Sequence, residues 1–321
     1  MVARLWAAIG LSLLCGALAT PPMLPPRPAR RPLVVWHGMG DSYNSAAMQR
    51  FMAEVREMHD GIFIHSVYLE PETDADEKAG FFGFLGDQLQ VASTQLAGIP
   101  ELSQGFDALG FSQGGQFLRA YVEWFNNPPV HNLLTFGSQH LGVADIPGCR
   151  PHDLLCNLAR NAAKSGVYTT WAQHNVIQAQ YYRDERKLSA YLKQNTFLPR
   201  LNNEISELRN ETYSRNLASL NNLVLIMFAQ EKTVVPKESS WFGSYAPREG
   251  NEERVLVPMR RQSLYVEDWI GLRTLDEAGK VQLLTCDGEH MQLSTACLER
   301  TVGKYVGGYL IKQSALVFQT S

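Results

Sequence analysis

The sequence lacks an apolar run long enough to cross a bilayer, because its longest hydrophobic stretch, near the amino terminus, is too short. A spanning helix needs about 20 apolar residues, so no stable membrane span is predicted. A strong charge of either sign is also missing, since the 321 residues carry a formal net charge of −3. Phosphate backbones bind clustered positive charge, and nucleic acid is therefore excluded as the main partner.

Cysteine is scarce, with five in the chain, and no two of them have the C-x-x-C spacing of a zinc knuckle. We therefore predict no metal, and nothing in the sequence implies a cofactor. Cys15 lies in the amino-terminal leader, which leaves an even number for an oxidising compartment. Cys149 and Cys156 bracket a short loop and are the favoured disulfide. Cys286 and Cys297 would be its complement, a pairing that the sequence leaves open.

The amino terminus has the features of a secretory signal peptide. Residues 1–19 contain Arg4, a short apolar core and the small-residue ending Ala17-Leu18-Ala19. Residues 20–32 are proline-rich and predict an extended lead-in to the fold. The chain is therefore expected in the secretory pathway, and the sequence does not distinguish a lysosome or vacuole from secretion. Asn210 begins an Asn-x-Thr glycosylation sequon, which fits that route.

Short apolar stretches alternate with stretches of helical period along the rest of the chain. This alternation predicts one domain, residues 33–321, with a mostly parallel sheet and helices on both faces. Between about 145 and 220, polar, helix-like pieces replace the pattern and predict a helical insertion over the sheet and the active site. Strands are predicted within 31–42, 61–69, 105–111, 132–138, 220–229 and 280–286, and helices within 45–58, 81–96, 114–125 and 293–311.

The motif Gly110-Phe111-Ser112-Gln113-Gly114 lies between a predicted strand and a predicted helix. That context identifies G-x-S-x-G as a nucleophile elbow, the strained turn that presents the serine of α/β-hydrolases. The helix that begins at Gln113 also directs backbone N–H groups toward an oxyanion. We therefore predict that Ser112 is a catalytic nucleophile.

A serine hydroxyl needs a base to take its proton. In α/β-hydrolases the order along the chain is serine, then acid, then histidine. His290 is the one histidine that follows the strand predicted at 220–229, and it comes just after the last predicted strand. His290 is therefore the predicted base.

The oxyanion hole needs two backbone donors, one after the nucleophile and one in a loop that follows an early strand. Gln113 supplies the first of these donors. Met39, in the glycine-rich loop 37–42, is predicted to supply the second.

The triad acid is expected in the loop that follows the strand at 220–229. Glu231 is the early carboxylate of that loop, and we predict it as the acid. Asp287 is the alternative, although it lies so close to His290 in sequence that its carboxylate reaches the ring less easily.

Taken together, several stretches of the chain resemble lysosomal palmitoyl-protein thioesterases. The likeness covers roughly residues 30–312, and it depends on the combined motifs because G-x-S-x-G alone is not specific. The matching segments are "VVWHGMGDS", "LGFSQGGQFLRAY", "NLVLIMFAQEKTVVPKESSWFG", "IGLRTLDEAGKVQLL" and "GEHMQLS".

The resemblance implies an α/β-hydrolase fold with a large helical insertion. It also implies removal of long-chain fatty acyl groups from S-acylated cysteines of proteins or peptides, so that fatty acyl thioesters are the expected partners. By position, Ser112 and His290 match the family's nucleophile and histidine, and Met39 and Gln113 match its oxyanion donors. The segment "GCRPHDLLC" is similar to its short disulfide loop, and Asn210 resembles one of its glycosylation sites.

One position departs from the family pattern. Val235 stands where the best-known animal enzyme has its acid, directly before the proline of the loop, whereas a related branch carries acidic residues earlier, near Glu231.

Two other interpretations of the function stay open at this point. One is a secreted lipase or carboxylesterase that acts on oxygen esters, and the other is a catalytically weak lipid-binding relative.

Overall fold

A computed structural model describes residues 29–145, 157 and 166–310. The predicted signal peptide, most of the proline-rich lead-in and the Cys149–Cys156 pair lie outside these residues. Among the described helices, none is both long and apolar enough to cross a membrane.

The centre of the fold is a six-stranded sheet in the order β2-β1-β3-β4-β5-β8, and every neighbouring pair of strands in it is parallel. The short strands β6 and β7 form a separate antiparallel pair. The strands are β1 (Leu33–Trp36), β2 (Ile64–Ser66), β3 (Phe106–Phe111), β4 (Val130–Phe136), β5 (Asn222–Phe228), β6 (Ser244–Tyr245), β7 (Leu256–Val257) and β8 (Val281–Cys286).

Helices cover both faces of this sheet. The helices are α1 (Ala46–Met58), α2 (Thr73–Ala79), α3 (Leu85–Ala97), α4 (Gln113–Trp124), α5 (Thr170–Asn175), α6 (Ile177–Gln180), α7 (Leu188–Gln194), α8 (Leu198–Leu201), α9 (Glu211–Ala218), α10 (Ser263–Val266), α11 (Leu272–Glu277) and α12 (Thr295–Tyr305). Apolar side chains of α1 and α12 pack on one face of the sheet, and those of α3 and α4 pack on the other.

The alternation of side chains along each strand explains the two faces. In β1, Val34 and Trp36 enter the core beneath α3 and α4, whereas Leu33 and Val35 enter the core beneath α1 and α12. Because both faces are buried, the strands are continuous apolar runs rather than alternating ones. The predicted α/β architecture, a parallel sheet with helices on both faces, is confirmed.

The described residues between β4 and β5 form the short helices α5 to α9. The helix-like piece within 176–192 is interrupted, because residues 181–187 leave the helix between α6 and α7. Asp184 accepts the backbone N–H of Arg186 at 2.9 Å, and such a local bond competes with helix formation. Val143 exchanges backbone hydrogen bonds with Tyr181 and Arg183, which fastens this segment to the loop after β4.

The carboxy-terminal helix is shorter than predicted and ends at Tyr305. The chain after it pairs with the segment before β1, since Arg31 N–H donates to Gly308 and Leu310 N–H donates to the carbonyl of Ala29. We call residues 29–31 and 307–310 the terminal clasp.

A buried carboxylate, Asp107, holds the terminal clasp to the start of β3. It accepts hydrogen bonds from Arg31 Nη1 at 3.3 Å, Asn132 Nδ2 at 3.0 Å and Gly307 N at 3.0 Å. Burial raises the pKa of Asp107 to about 6, although Arg31 opposes that rise. The terminal clasp lies at the amino ends of the strands, opposite the edge that carries the serine motif.

Candidate active site

Ser112 lies on a strained turn between β3 and α4. Its φ of 52° is in the left-handed region, which costs energy for a residue with a side chain. A Cβ on Gly114 would come within 2.4 Å of the backbone oxygens of Trp36 and His37, so glycine is required there. The Ser112 N–H donates to the Phe136 carbonyl at 2.7 Å, which ties the turn to the end of β4.

The His290 ring lies beside this serine. Its Nε2 is 3.2 Å from Ser112 Oγ, within hydrogen-bond reach. The edge of the ring contacts Phe228, with 6.1 Å between ring centroids and 65° between planes. A disulfide joins Cys286, at the end of β8, to Cys297 in α12 and closes the loop that carries His290. The structure therefore settles the pairing that the sequence left open.

Glu231 occupies the other side of the His290 ring. Its side chain is fully buried, and its Oε2 lies 2.5 Å from His290 Nδ1. Its second oxygen accepts the backbone N–H groups of Thr233 at 2.7 Å and Val234 at 3.1 Å. Burial alone would raise the pKa of Glu231, but the contact with His290 and the two N–H donors outweigh it and lower the pKa.

The other two positions considered for the acid are arranged differently. Val235 turns its backbone carbonyl toward Ala144, which donates its N–H at 2.7 Å. Asp287 is exposed, and within the described part of the chain its carboxylate forms no hydrogen bond or ion pair with His290. The carboxylate that the structure brings to the ring is thus that of Glu231.

The loop after β1 lies directly against the serine. A Cβ on Gly38 would be 3.3 Å from Ser112 Cβ, so the backbone of this loop borders Ser112. Met39 follows in this loop, and Gln113 begins α4 immediately after Ser112. Within the residues the structure describes, neither the Met39 nor the Gln113 N–H has a hydrogen-bond acceptor, so both donors are available to a ligand.

These groups converge because their loops leave the same edge of the sheet. Met39, Ser112, Glu231 and His290 follow β1, β3, β5 and β8 respectively. The carboxyl ends of parallel strands lie at one edge, where loops from separate strands form ligand sites. This edge therefore carries a hydroxyl, a base, an acid and two free N–H donors, the groups that acyl transfer requires.

The sequence assigned Gln113 a backbone role alone, but its side chain is also engaged. Its amide Nε2 donates to the Gly80 carbonyl at 3.0 Å, and its Oε1 accepts from the Tyr181 hydroxyl at 3.3 Å. Gln178 donates to the same carbonyl at 3.1 Å and contacts Met39 Sδ at 3.2 Å. The segment between β4 and β5 thus contacts both the loop that carries Met39 and the start of α4, a relation that no sequence motif indicates.

Asn210 lies on the surface, before α9. Its side chain is exposed, and its Oδ1 accepts the backbone N–H of Thr212 at 2.9 Å, which caps that helix. The position is accessible, as a glycosylation acceptor must be.

The family model for palmitoyl protein thioesterase matches residues 32–290 of this chain. Palmitoyl-protein thioesterase 1 of Caenorhabditis elegans is 40% identical over 274 residues, which cover 85% of this chain and 90% of that protein. Palmitoyl-protein thioesterase 3 of Dictyostelium discoideum is 32% identical over 264 residues, which cover 82% of this chain and 86% of that protein. The lysosomal thioesterase PPT2 homolog of Drosophila melanogaster is 29% identical over 257 residues, which cover 79% of this chain and 83% of that protein.

Proposed function

The chain belongs to the palmitoyl protein thioesterase family, and we propose that Ser112, His290 and Glu231 are the triad with which it hydrolyses its substrate. The activity is thioester hydrolysis, the removal of palmitate from protein cysteines. The observation that carries the assignment of residues is the unbroken contact from Ser112 Oγ through the His290 ring to Glu231.

The first half of the reaction acylates the serine. Ser112 Oγ attacks the thioester carbonyl carbon while His290 Nε2, 3.2 Å away, accepts the hydroxyl proton. The carbonyl oxygen becomes an oxyanion, which the N–H groups of Met39 and Gln113 stabilise. The C–S bond then breaks, His290 returns the proton to the departing cysteine sulfur, and the acyl group remains on Ser112.

The second half repeats these roles with water. His290 takes a proton from the water that attacks the acyl-serine ester, and the same N–H groups hold the new oxyanion. The Ser112 oxygen then leaves, His290 protonates it, and palmitate is released. No other co-reactant is needed for the atoms and charges to balance.

Glu231 acts through the histidine. Its lowered pKa keeps it ionised, so its Oε2 accepts the Nδ1–H of His290 and stabilises the imidazolium that forms twice in each cycle. Its second oxygen is fixed by two backbone N–H groups, which restricts rotation of the carboxylate.

A fluorophosphonate probe tests the nucleophile, because it phosphonylates activated serines. We expect labelling of the wild type and none of Ser112→Ala, with Ser103→Ala, an exposed serine, as the matched control. Labelling that persists in Ser112→Ala would overturn the assignment.

The choice between thioester and oxygen ester is tested with two substrates of the same chain length. Palmitoyl-CoA is expected to have a higher kcat/KM than p-nitrophenyl palmitate. A large preference for the oxygen ester would instead favour the lipase or carboxylesterase interpretation and contradict the proposed substrate class.

We further propose that the protein acts in the lysosome after entry into the secretory pathway. The support is the signal-peptide pattern of residues 1–19, the exposed sequon at Asn210 and a relative named as lysosomal. We also propose a disulfide between Cys149 and Cys156, which the oxidising secretory pathway would favour. A helical insertion at about 145–220 that lies over the active site is a further proposal. Glycosidase treatment of the secretory-pathway protein should reduce its mass, and Asn210→Gln should remove that shift, because Asn210 begins the one Asn-x-Ser/Thr sequon in the sequence. A shift that persists in Asn210→Gln would contradict the assignment.

A further inference from the structure

His37, the residue directly after β1, is buried beneath the loop that carries Met39. It is 2% exposed, so bulk water does not solvate its ring. Its Nδ1 lies 2.9 Å from the carbonyl oxygen of Gly38, the next residue along the chain. Its Nε2 lies 3.1 Å from Asp76 Oδ2, close enough for an ion pair although misaligned for a hydrogen bond.

Asp76, in α2, is itself held as a carboxylate. Its Oδ2 accepts the N–H of Tyr43 at 2.9 Å, and its Oδ1 accepts the N–H of Leu69 at 2.8 Å. Burial would raise the pKa of Asp76, but His37 and these N–H donors outweigh it, so the pKa is lowered. A charged oxygen therefore faces His37 Nε2.

The partners of the His37 ring define where its hydrogens are. The Gly38 carbonyl can only accept, so Nδ1 must carry a hydrogen and donate it. On the other side of the ring, Nε2 lies beside the Asp76 carboxylate. The hydrogen on Nδ1 is the one that the contact with Gly38 requires.

The Gly38 carbonyl and the Met39 N–H belong to one peptide unit. In a trans peptide these two bonds point in opposite directions, so whatever fixes the carbonyl also fixes the N–H. Gly38 and Gly40 flank Met39, and Gly40 has a φ of 72°. Because glycine backbones rotate freely, this peptide unit needs an external restraint to keep one orientation.

We propose that His37, held by Asp76, is a positioning residue that aims the Met39 N–H at the oxyanion through its hydrogen bond to the Gly38 carbonyl. The inference rests on the proposed function, in which Met39 is an oxyanion donor. His37 does not touch the substrate, and it acts on the peptide unit that does. Donation to the carbonyl also polarises the N–H at the other end of the same unit.

Two substitutions separate this role from packing. The amide nitrogen of asparagine is attached to Cγ, as is histidine Nδ1, so His37→Asn can still donate to Gly38 but cannot reach Asp76. Glutamine places its nitrogen near the Nε2 position, so His37→Gln can still contact Asp76 but cannot donate a hydrogen bond to the Gly38 carbonyl. Both variants replace a buried ring with an amide, and a packing role would affect them alike.

We expect His37→Asn to retain kcat within about threefold of the wild type. We expect His37→Gln to lose kcat by about 10- to 100-fold with little change in KM, because a misdirected donor forfeits most of what one oxyanion donor contributes. The rate of phosphonylation by the fluorophosphonate should fall in parallel, since it passes through a similar charged oxygen. Equal loss in both variants, or a change confined to KM, would overturn the proposal.

The native protein offers a test that does not depend on the folding of a variant. Nitrogen chemical shifts of the His37 ring, measured by NMR, should show a hydrogen on Nδ1, the atom that contacts the Gly38 carbonyl, and an Nδ1 without a hydrogen would overturn the proposal. The Ser112→Ala variant distinguishes failure of the proposed function from failure of the role proposed for His37. Turnover and labelling that survive in Ser112→Ala would reject the triad, whatever the state of His37. Ser112-dependent turnover in a protein whose His37 Nδ1 carries no hydrogen would reject the positioning role alone.

Discussion

Glu231 and His290 form a partly buried pair in which Oε2 of the carboxylate lies 2.5 Å from Nδ1 of the ring. The two residues reach each other from loops that follow the neighbouring parallel strands β5 and β8. The contact fixes the ring so that its other nitrogen faces Ser112, and it is the relation from which the first prediction follows.

Replacing Glu231 with glutamine should lower kcat by about 10²- to 10⁴-fold, because an amide neither stabilises the imidazolium nor selects the correct tautomer. KM should change little, since the Glu231 side chain is fully buried behind the His290 ring. Steady-state kinetics with palmitoyl-CoA measure both constants. Asp287→Asn is the matched control and should retain wild-type rates, and the reverse pattern would assign the acid to Asp287.

Gly114→Ala should destabilise the fold by about 3 kcal/mol or more, because its Cβ would overlap two backbone oxygens at 2.4 Å. Gly303→Ala, in α12, is the contrasting change. A Cβ there meets one backbone atom at 3.9 Å, so helix propensity should raise stability by about 0.5–1 kcal/mol. Urea unfolding compares the two variants, and equal effects would contradict the close approach seen at Gly114.

Removal of the Cys286–Cys297 disulfide should lower the free energy of unfolding by about 3 kcal/mol, the loop-closure value for cysteines 11 residues apart. The closed loop carries His290, so kcat should also fall. A double change to alanine, compared with the wild type in urea, measures the loss of stability. Added reductant should shift the wild type toward the variant and leave the variant unchanged.

Asp107 should make the fold more stable in acid. Its native pKa of about 6 exceeds the ordinary value of 3.8, so between these values the native state binds more protons than the unfolded state. Stability from this residue therefore falls as pH rises from about 4 to about 6, by roughly 1–3 kcal/mol. His131, whose pKa burial lowers to about 4, acts in the opposite direction over a similar range.

Substitution isolates the contribution of Asp107 from that of His131. The stability advantage of the wild type over Asp107→Asn should be larger at pH 4.5 than at pH 7, as measured by urea unfolding. Glu54→Gln, an exposed change on α1, serves as the control and should show no such difference. An advantage that grows as pH rises would contradict the assigned direction.

The sequence predicted the sheet because its signals are local. Apolar runs such as that of β5, with helical periods between them, indicated the six parallel strands and most of the helices that cover them. Ser112 and His290 were identified by a motif and by chain order, and the structure places them 3.2 Å apart. Glu231 was chosen by its place in a loop, and its carboxylate lies at the ring.

What the sequence did not predict depends on partners far apart in the chain. The link from Asp76 to His37 joins α2 to the end of β1, and Gln113 bonds Tyr181 across the segment between β4 and β5. No periodicity or motif marks such pairs, since either side chain alone is an ordinary polar residue. The break after α6 was missed for a similar reason, because Tyr181 and Arg183 exchange backbone hydrogen bonds with Val143, a distant partner that a helical period does not register.

The terminal clasp has a consequence for chains that end early. A product that stopped soon after His290 would contain every side chain of the proposed triad. It would lack α12, which contains Cys297, the disulfide partner of Cys286. It would also lack Gly307, whose N–H donates to Asp107. A buried carboxylate would lose one of its donors, and one face of the sheet would lose part of its cover. We therefore expect that premature stop codons late in the reading frame prevent the chain from folding, although the side chains of the proposed triad are still present.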